Sequence, residues 1–237
     1  MISTVNAKSD ISVYLVQEVP RYKMTFREML YWSMPHSGVL SPDVYMWRKK
    51  NKYQFLKELL KLQMMMKVSK YTGYPFFYGN LWLTHIDGFT GLKTLYGLAS
   101  LRLITNVGRD EIIDEFDAAT AAGFDLTSFN FHGIGTGVTG AAVGDTALQT
   151  ELTTEYNPNS TRATGTQSQP TSDVYRTVGV NTLDSGTLAI TEAGVLSQAA
   201  TGGGVLLDRF TFAAINLVGA NGDGLQTTVN LTMASGG

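Results

Sequence analysis

The stretch Gly135–Gly140 is the closest approach in this sequence to a nucleotide-binding motif. It matches G-x-G-x-x-G, and Glu155 stands 20 residues beyond its first glycine. A dinucleotide site needs such a turn to open a helix between two strands, so that the pyrophosphate lies at the helix N-terminus. Here Gly144 interrupts any helix that could follow the glycine motif. A Walker-type phosphate loop is also excluded, because it requires a lysine and no lysine follows Lys93. The sequence therefore predicts a close-packed glycine loop that leaves a strand.

The three histidines, His36, His85 and His132, lie far apart and show no H-x-x-x-H or H-E-x-x-H spacing. His132 follows Phe129 and Phe131, as a residue near the end of a strand would. We therefore expect a hydrogen-bonded histidine at this position and no metal ligand.

Carboxylates are the remaining candidates for chemistry. Glycoside hydrolysis needs two of them about 5–9 Å apart in a cleft, and the acid pairs are more simply explained as solvated residues near a helix N-terminus. The segment Asn221–Asp223 offers oxygen ligands, but no calcium-binding loop pattern surrounds it. With 0 cysteines, disulfides, thiolate metal sites and cysteine nucleophiles are excluded. The sequence predicts no catalytic residue, no metal and no cofactor, and so a protein that is not an enzyme. The acid pairs considered are Asp110/Glu111, Asp114/Glu115 and Glu151/Glu155.

The formal net charge of −2 is the sum of two oppositely charged halves. Residues 1–105 contain 14 Lys and Arg against 6 Asp and Glu, whereas residues 106–237 contain 4 Arg, no Lys and 14 acids. Glycine is concentrated in the second half, with 19 of 25. This asymmetry predicts a basic, helix- and aromatic-rich docking region at 1–105, followed by an acidic Gly/Thr-rich domain at 106–237.

The basic half contains the strongest local signal. Residues 11–19 resemble a short strand or extended arm, and residues 21–35 a short helix. Next, Ser41-Pro42-Asp43 supplies an N-cap hydroxyl, a proline at the first helical position and an acid at the positive end of the helix dipole. No Gly or Pro follows until Gly73, so a helix is predicted from Pro42 to Lys70. Its apolar face holds Phe55, Leu59, Leu62 and Met66, and its opposite face holds Lys50, Lys57 and Lys61.

The remainder of this half is harder to interpret. The stretch Tyr71–Phe89 is dense in aromatic residues but broken by Gly and Pro, which argues against one regular element. A helix is predicted from about Thr90 to Ile104, weakened by Gly91 and Gly97.

Three interpretations of the basic half compete. The helix could bind nucleic acid, but lysines without arginine clusters are a weak signal for it. It could lie on a membrane surface, but its apolar arc is narrow and no lipidation motif is present. The simplest interpretation is that the lysines solvate the outer face of a helix. The many Met and aromatic residues also suit a surface that packs against another protein.

The acidic half changes from helical to alternating patterns. Asp110–Ala122 is predicted as a short helix that ends at Gly123, after which residues alternate between apolar and polar with a period of two. The last such strand carries Leu225, Val229, Leu231 and Met233 on one face, and others are predicted around residues 174–180, 187–197 and 210–213. Residues 157–172 are polar and are predicted as a long exposed loop. The predicted class is α+β: a helical and extended N-terminal half, then an antiparallel, jelly-roll-like β-sandwich.

Residues from about Phe131 to Met233 resemble a group of tailed-bacteriophage virion proteins. The similar stretches, in order, are His132–Gly137, Gly144–Leu148, Thr150–Leu152, Thr191–Leu196, Leu206–Arg209 and Asn221–Gln226. The resemblance implies a β-sandwich on a virus particle, in a capsid decoration (cement) protein, a fibre or a tail component. It implies no catalytic residues.

From these observations we expect a virion structural protein, most simply a capsid decoration protein assembled in the bacterial cytoplasm. The expected partners are the major capsid protein or other virion proteins, together with further copies of the chain. The alternative is a fibre or receptor-binding component that recognises carbohydrate. The residues predicted to contact a partner are Lys50, Lys57, Lys61, Trp47, Phe76, Phe77 and Trp82.

Overall fold

A computed structural model describes residues 24–35, 40–115 and 126–234. The extended segment predicted at 11–19 and the second half of the helix predicted at Asp110–Ala122 lie outside these ranges.

The described residues form three α-helices: α1 (Phe26–Ser33), α2 (Pro42–Thr72) and α3 (Asn106–Asp114). In α2 the side chain of Ser41 accepts a hydrogen bond from the Val44 amide, and Gly73 ends the helix in the left-handed conformation, at φ 74°. Both ends of α2 therefore lie within two residues of the prediction. α3 begins earlier than predicted, because Thr105 caps it through the Gly108 amide.

Nine described strands form two antiparallel sheets. The five-stranded sheet has the order β2-β1-β9-β6-β5, and the four-stranded sheet the order β4-β3-β7-β8. This confirms the α+β class with a sandwich-like arrangement, whereas the jelly-roll assignment stays a prediction. The strands are β1 (Phe76–Ile86), β2 (Lys93–Leu103), β3 (Phe131–Gly135), β4 (Ala163–Thr164), β5 (Thr166–Thr171), β6 (Val174–Thr182), β7 (Thr187–Leu196), β8 (Leu206–Val218) and β9 (Gly224–Ala234).

Two predictions for the first half are wrong. The aromatic stretch contains the eleven-residue strand β1, and the helix predicted at Thr90–Ile104 is the strand β2. In β2, Ala99 packs between the sheets while Leu98 and Leu101 pack toward the helices. A strand buried on both faces lacks polar alternation, so its leucines resemble a helical pattern. Gly97, at φ 98°, lies at an irregularity in the pairing with β1.

Strands from before and after residue 105 pair with each other in one sheet. β1 pairs along its whole length with β9, from Phe76 opposite Ala234 to Ile86 opposite Gly224. Strands from the basic and acidic halves thus share one sheet and one core, which includes Leu81 and Phe210. The N-terminal half therefore contributes β1 and β2 to the sandwich, and its role in docking stays a prediction.

The inner face of α2 covers the edge strands of both sheets. Asn51 donates to the Ala99 carbonyl of β2 and accepts from the Ala213 amide of β8. The indole of Trp47 donates to the Ala213 carbonyl at 2.6 Å. Exposed edge groups invite pairing with another chain, so α2 both satisfies them and closes this side of the sandwich.

A second apolar cluster lies between the helices and the outer face of the five-stranded sheet. Phe55, Leu59 and Leu62 of α2 pack there with Trp82 of β1, whose ring meets that of Trp32 edge to face at 5.3 Å between centroids. These three helical residues confirm most of the predicted apolar face. Met66, at the same helical spacing, is half exposed.

Residues 157–172 are not the predicted exposed loop. They contain the short strand β4 and the edge strand β5, which pairs with β6. Their polar composition fits an edge strand, because the outer residues of such a strand remain in water.

Candidate functional site

The glycine-rich stretch Gly135–Gly140 lies against the carboxylate of Glu192 and donates a hydrogen bond to it. Gly135 ends β3, and the backbone then crosses the carboxylate of Glu192 in β7, which accepts hydrogen bonds from the amides of Gly137, Gln149 and Thr150. A Cβ on Gly137 would come within 2.5 Å of this carboxylate. The stretch therefore leaves β3 as predicted and is closely packed at Gly135 and Gly137, whereas Gly140 has open space around it.

Glu192 is part of a buried ion-pair network on the outer face of the four-stranded sheet. Its other partner is Arg209 of β8, at 2.8 Å, and Arg209 also binds Asp145 at 2.9 Å. Burial opposes the charge on Arg209, but the two carboxylates raise its pKa above the usual value. These contacts hold the loop between β3 and β4 against the sheet, so the network has a structural role.

His132 is completely buried between the sheets. Its two ring nitrogens lie 2.6 Å from the Thr227 hydroxyl and 2.9 Å from the Thr177 hydroxyl. Burial lowers the pKa of His132 to about 3, so the ring is neutral at physiological pH. The prediction of a hydrogen-bonded strand histidine is confirmed.

The other acids of the second half are also mostly engaged within the fold. Glu151 pairs with the buried Arg162, and Asp223 binds the Gly88 and Val218 amides together with His85. Within the described ranges, no cluster of three His, Asp or Glu side chains has a geometry that would hold a metal ion. None of the described helices is long and apolar enough to span a membrane. Asp145, Glu151 and Glu192 thus form ion pairs within the fold, whereas acids of α3 such as Asp110 and Asp114 are exposed.

One buried charge cluster lies beside a cavity of about 320 Å³ between α2, β2 and β8. Glu58 pairs with Arg102 at 2.8 Å and accepts from the Ser100 hydroxyl and the Leu101 amide. Burial raises the pKa of Glu58, against the charge of Arg102. The neighbouring Asp208 is 1% exposed, and neither of its oxygens accepts a well-formed hydrogen bond from any described residue. Burial therefore raises its pKa well above the usual value, although the Arg209 amide and Arg102 oppose this.

We expect Asp208→Asn to stabilise the protein at neutral pH. The unfolded carboxyl loses its proton near pH 3.8, whereas the folded one keeps it to higher pH. Stability contributed by Asp208 is therefore lost as pH rises above 3.8, and Asn has no such loss. The expected gain is about 1–3 kcal/mol at pH 7, the range for an uncompensated buried polar group. Thermal unfolding of both proteins at pH 7 and pH 4 measures it.

The gain should shrink at pH 4, since this pH lies close to the unfolded value of 3.8 and little of the stability contributed by Asp208 has yet been lost. Asp184→Asn, at an exposed position, is the matched control and should change the melting temperature little at either pH. A gain that is equal at the two pH values would contradict the assigned origin.

The predicted partner-binding residues separate into two groups. Trp47 and Trp82 are 4% and 2% exposed and belong to the two apolar clusters, and their contact with a partner stays a prediction. Phe76 and Phe77 are half-buried. Their rings still reach the surface, and Phe76 packs against the cluster beneath α2. Lys50, Lys57 and Lys61 are exposed on the outer face of α2, as predicted.

The structure adds residues that the sequence interpretation missed. Between the lysines on the outer face of α2 stand Tyr53, Leu60, Met64 and Tyr71, which are 79%, 58%, 68% and 91% exposed. The signal was present in their spacing of seven, seen at 53 and 60 and again at 64 and 71. It was missed because only one apolar face, that of Phe55, Leu59, Leu62 and Met66, was sought on the helix.

A second feature is an open groove of about 540 Å³ beside β5, β6 and β9. Phe77, Leu231 and Met233 form its apolar part, and Gln167 and Tyr175 its polar part. Gln167 donates to the hydroxyl of Tyr175, which donates in turn to the Phe129 carbonyl. The groove thus has preorganised polar groups beside an aromatic ring.

Comparison with protein-family models, curated proteins and solved structures finds no match for this chain. The class that the fold defines is an antiparallel, sandwich-like α+β protein whose one long helix presents a basic outer face.

Proposed function

We propose that this protein is a structural component of a tailed-bacteriophage virion, most simply a capsid decoration protein that stabilises the shell through protein–protein contacts. The observation that carries the proposal is the outer face of α2, where exposed Met, Leu and Tyr side chains alternate with lysines. Large exposed apolar side chains rimmed by charges are typical of protein-interaction sites.

The position of the phage-like stretches supports the proposal. His132–Gly137 and Thr191–Leu196 contain residues that pair in β3 and β7, and Leu206–Arg209 lies beside them in β8. Gly144–Leu148 and Thr150–Leu152 belong to the loop held by Glu192 and Arg209. Five of the six stretches thus belong to the four-stranded sheet and its loop, and the sixth, Asn221–Gln226, leads into β9 of the other sheet. A jelly-roll-like chain path belongs to the same proposal.

In this proposal the sandwich faces outward and α2 faces the shell. The partner is the major capsid protein or another virion protein, with further copies of the chain as neighbours. Lysines at the rim of such an interface mainly accelerate association and make it sensitive to salt. The buried apolar area supplies most of the affinity.

The decisive experiment is to purify particles and locate the chain. Mass spectrometry of the particles detects it, and imaging at side-chain detail counts and places it. Decoration predicts copies distributed over the whole shell. Particles that lack the chain would refute the proposal, and a few copies at one vertex would support a fibre or tail component instead.

We expect Lys57→Glu combined with Lys61→Glu to leave the fold intact and to reduce occupancy on particles by about tenfold or more. Both lysines are exposed on α2, so reversing their charge repels an acidic partner without disturbing the core. The matched control is Arg27→Glu with Lys93→Glu, the same charge change at exposed positions elsewhere. Quantitative mass spectrometry of reconstituted particles measures occupancy. Equal occupancy of the two double variants would show that Lys57 and Lys61 are only solvated.

The groove beside β5 favours a second candidate function, a receptor- or carbohydrate-binding component of a fibre. Sugar rings stack on aromatic faces and bond to fixed polar groups, and Tyr175 and Gln167 offer both. Binding of labelled host glycans that is lost in Tyr175→Ala, but retained in Tyr53→Ala, would favour this candidate. Absence of glycan binding would remove it.

A further inference from the structure

The exposed face of α2 has a regular pattern that runs along most of the helix. Eight residues follow one another at intervals that alternate between four and three positions. This is the spacing of the apolar seam of a coiled coil, in which one helical turn corresponds to 3.5 residues. At 1.5 Å per residue, the row spans roughly 38 Å. We call this row the outer stripe. It consists of Met46, Lys50, Tyr53, Lys57, Leu60, Met64, Lys67 and Tyr71.

All eight residues of the outer stripe are exposed. The five apolar or aromatic members range from 49% exposed at Met46 to 91% at Tyr71. The opposite face of the same helix is already buried against the sheets, where Phe55 and Leu59 are at most 1% exposed. α2 thus has two faces with apolar residues, and the described part of the chain covers only one of them.

The charge around the outer stripe restricts what can cover it. α2 carries seven lysines, and of its two acids Glu58 is buried while Asp43 lies at the first turn. Three lysines belong to the stripe itself, and Lys49 and Lys61 flank it. A second copy of the same face would bring like charges together, which is unfavourable. Carboxylates interleaved with apolar residues would complement both properties.

Resting on the proposed function, we propose that the outer stripe docks an acidic amphipathic helix of another virion protein as a two-helix, coiled-coil-like pair. Met and Leu side chains of α2 pack into the partner's apolar seam, and Met adapts readily to an irregular surface. The lysine ammonium groups reach carboxylates at the edges of that seam. The tyrosines supply large contact area at low cost in conformational entropy.

The test uses the full chain and a synthetic peptide of about 28 residues, four heptads long. The peptide has Leu at its seam positions and Glu at the flanking ones, and a control peptide has Gln in place of Glu. Fluorescence anisotropy of the labelled peptides reports binding. We expect the Glu peptide to bind at least about tenfold more tightly than the Gln peptide, and this preference to disappear as salt rises to about 0.5 M.

Leu60→Asp combined with Met64→Asp should weaken Glu-peptide binding by at least about tenfold, because it removes central contacts and adds repulsive charges. Phe89→Asp with Val138→Asp is the matched control, since these apolar residues are also exposed but lie outside the stripe. Far-UV circular dichroism and thermal unfolding establish that both variants fold. If both double variants fold and bind equally well, the proposal is overturned.

Other occupants would give different results. Self-association in sedimentation equilibrium that is lost in the stripe variant would identify a second copy as the occupant and overturn the proposal. Tighter binding of a DNA duplex than of the Glu peptide would also overturn it. The outcome is separable from the virion assignment: particles that retain the stripe variant refute the docking mode alone, and peptide binding by a chain absent from particles refutes the virion role alone.

Discussion

Replacing Glu192 with Ala is expected to destabilise the protein by about 3–5 kcal/mol, the range for removing one partner of a buried ion pair. The change leaves Arg209 with one carboxylate partner, Asp145, and removes the acceptor for the amides of Gly137, Gln149 and Thr150. In a chain of this size the loss corresponds to a fall in melting temperature of about 10 °C. Differential scanning calorimetry or thermal circular dichroism measures it.

A double variant tests whether the cost comes from the orphaned charge. Glu192→Leu combined with Arg209→Leu removes both partners, so it should be less destabilising than the sum of the two single Leu variants. Glu155→Ala, a half-buried acid whose side chain accepts from the Thr153 amide, is the control and should cost about 1 kcal/mol or less. A loss below about 1 kcal/mol in Glu192→Ala would mean that the network does not hold the loop.

Val229→Asp is expected to prevent folding. Val229 is 2% exposed, lies between the sheets and is paired with Leu81 across β1 and β9. A carboxylate there would be buried without a partner, at a cost of several kcal/mol, which is comparable with the whole stability of an ordinary domain. Loss of the near-ultraviolet circular dichroism signal and of a cooperative unfolding transition would report the failure.

The strand supplies its own control. Met233 lies on the same face of β9, four residues further along, but is 45% exposed. Met233→Asp should therefore change stability by about 0.5 kcal/mol or less. Equal effects of the two substitutions would contradict the assigned register, since a shift by one residue would move both side chains to the other face.

The parts of the fold that could be predicted are those whose signal is local. Ser41 and Gly73 mark the ends of α2 because caps act on adjacent backbone groups. β9 was found because its apolar residues alternate, although Asn230 and Thr232 on its other face are also buried. Burial of polar residues depends on what packs above them, and no local pattern reports it.

Prediction failed where a segment is buried on both faces. β2 has leucines directed to the helices and alanine to the sandwich interior, so its composition resembles a helix. Burial within the sandwich also explains why Trp47 and Trp82 were not recognised as core residues. Trp47 and Trp82 resembled contact residues because they stand in an aromatic, basic half, but that half provides two strands of the main sheet.

Of the outer face of α2, the lysines could be predicted from the sequence but the exposed apolar residues could not. Lys50, Lys57 and Lys61 were placed on the outer face of α2 from helical spacing alone, and they lie there. Tyr53 and Leu60 were not, since an apolar residue on a helix is normally buried and sequence does not reveal which of two apolar faces the core covers. Only the exposed areas distinguish the faces.

The sequence by itself determined the long capped helix, the alternating strand β9, and the lack of cysteine and of any lysine beyond Lys93. The tertiary structure alone decided that the two oppositely charged halves share one sheet, and that Asp145, Glu151 and Glu192 pair with arginines within the fold. The physical reason is range. Helix caps and side-chain periodicity act over a few residues, whereas strand pairing and ion pairing join residues far apart in the chain, such as Leu81 and Val229.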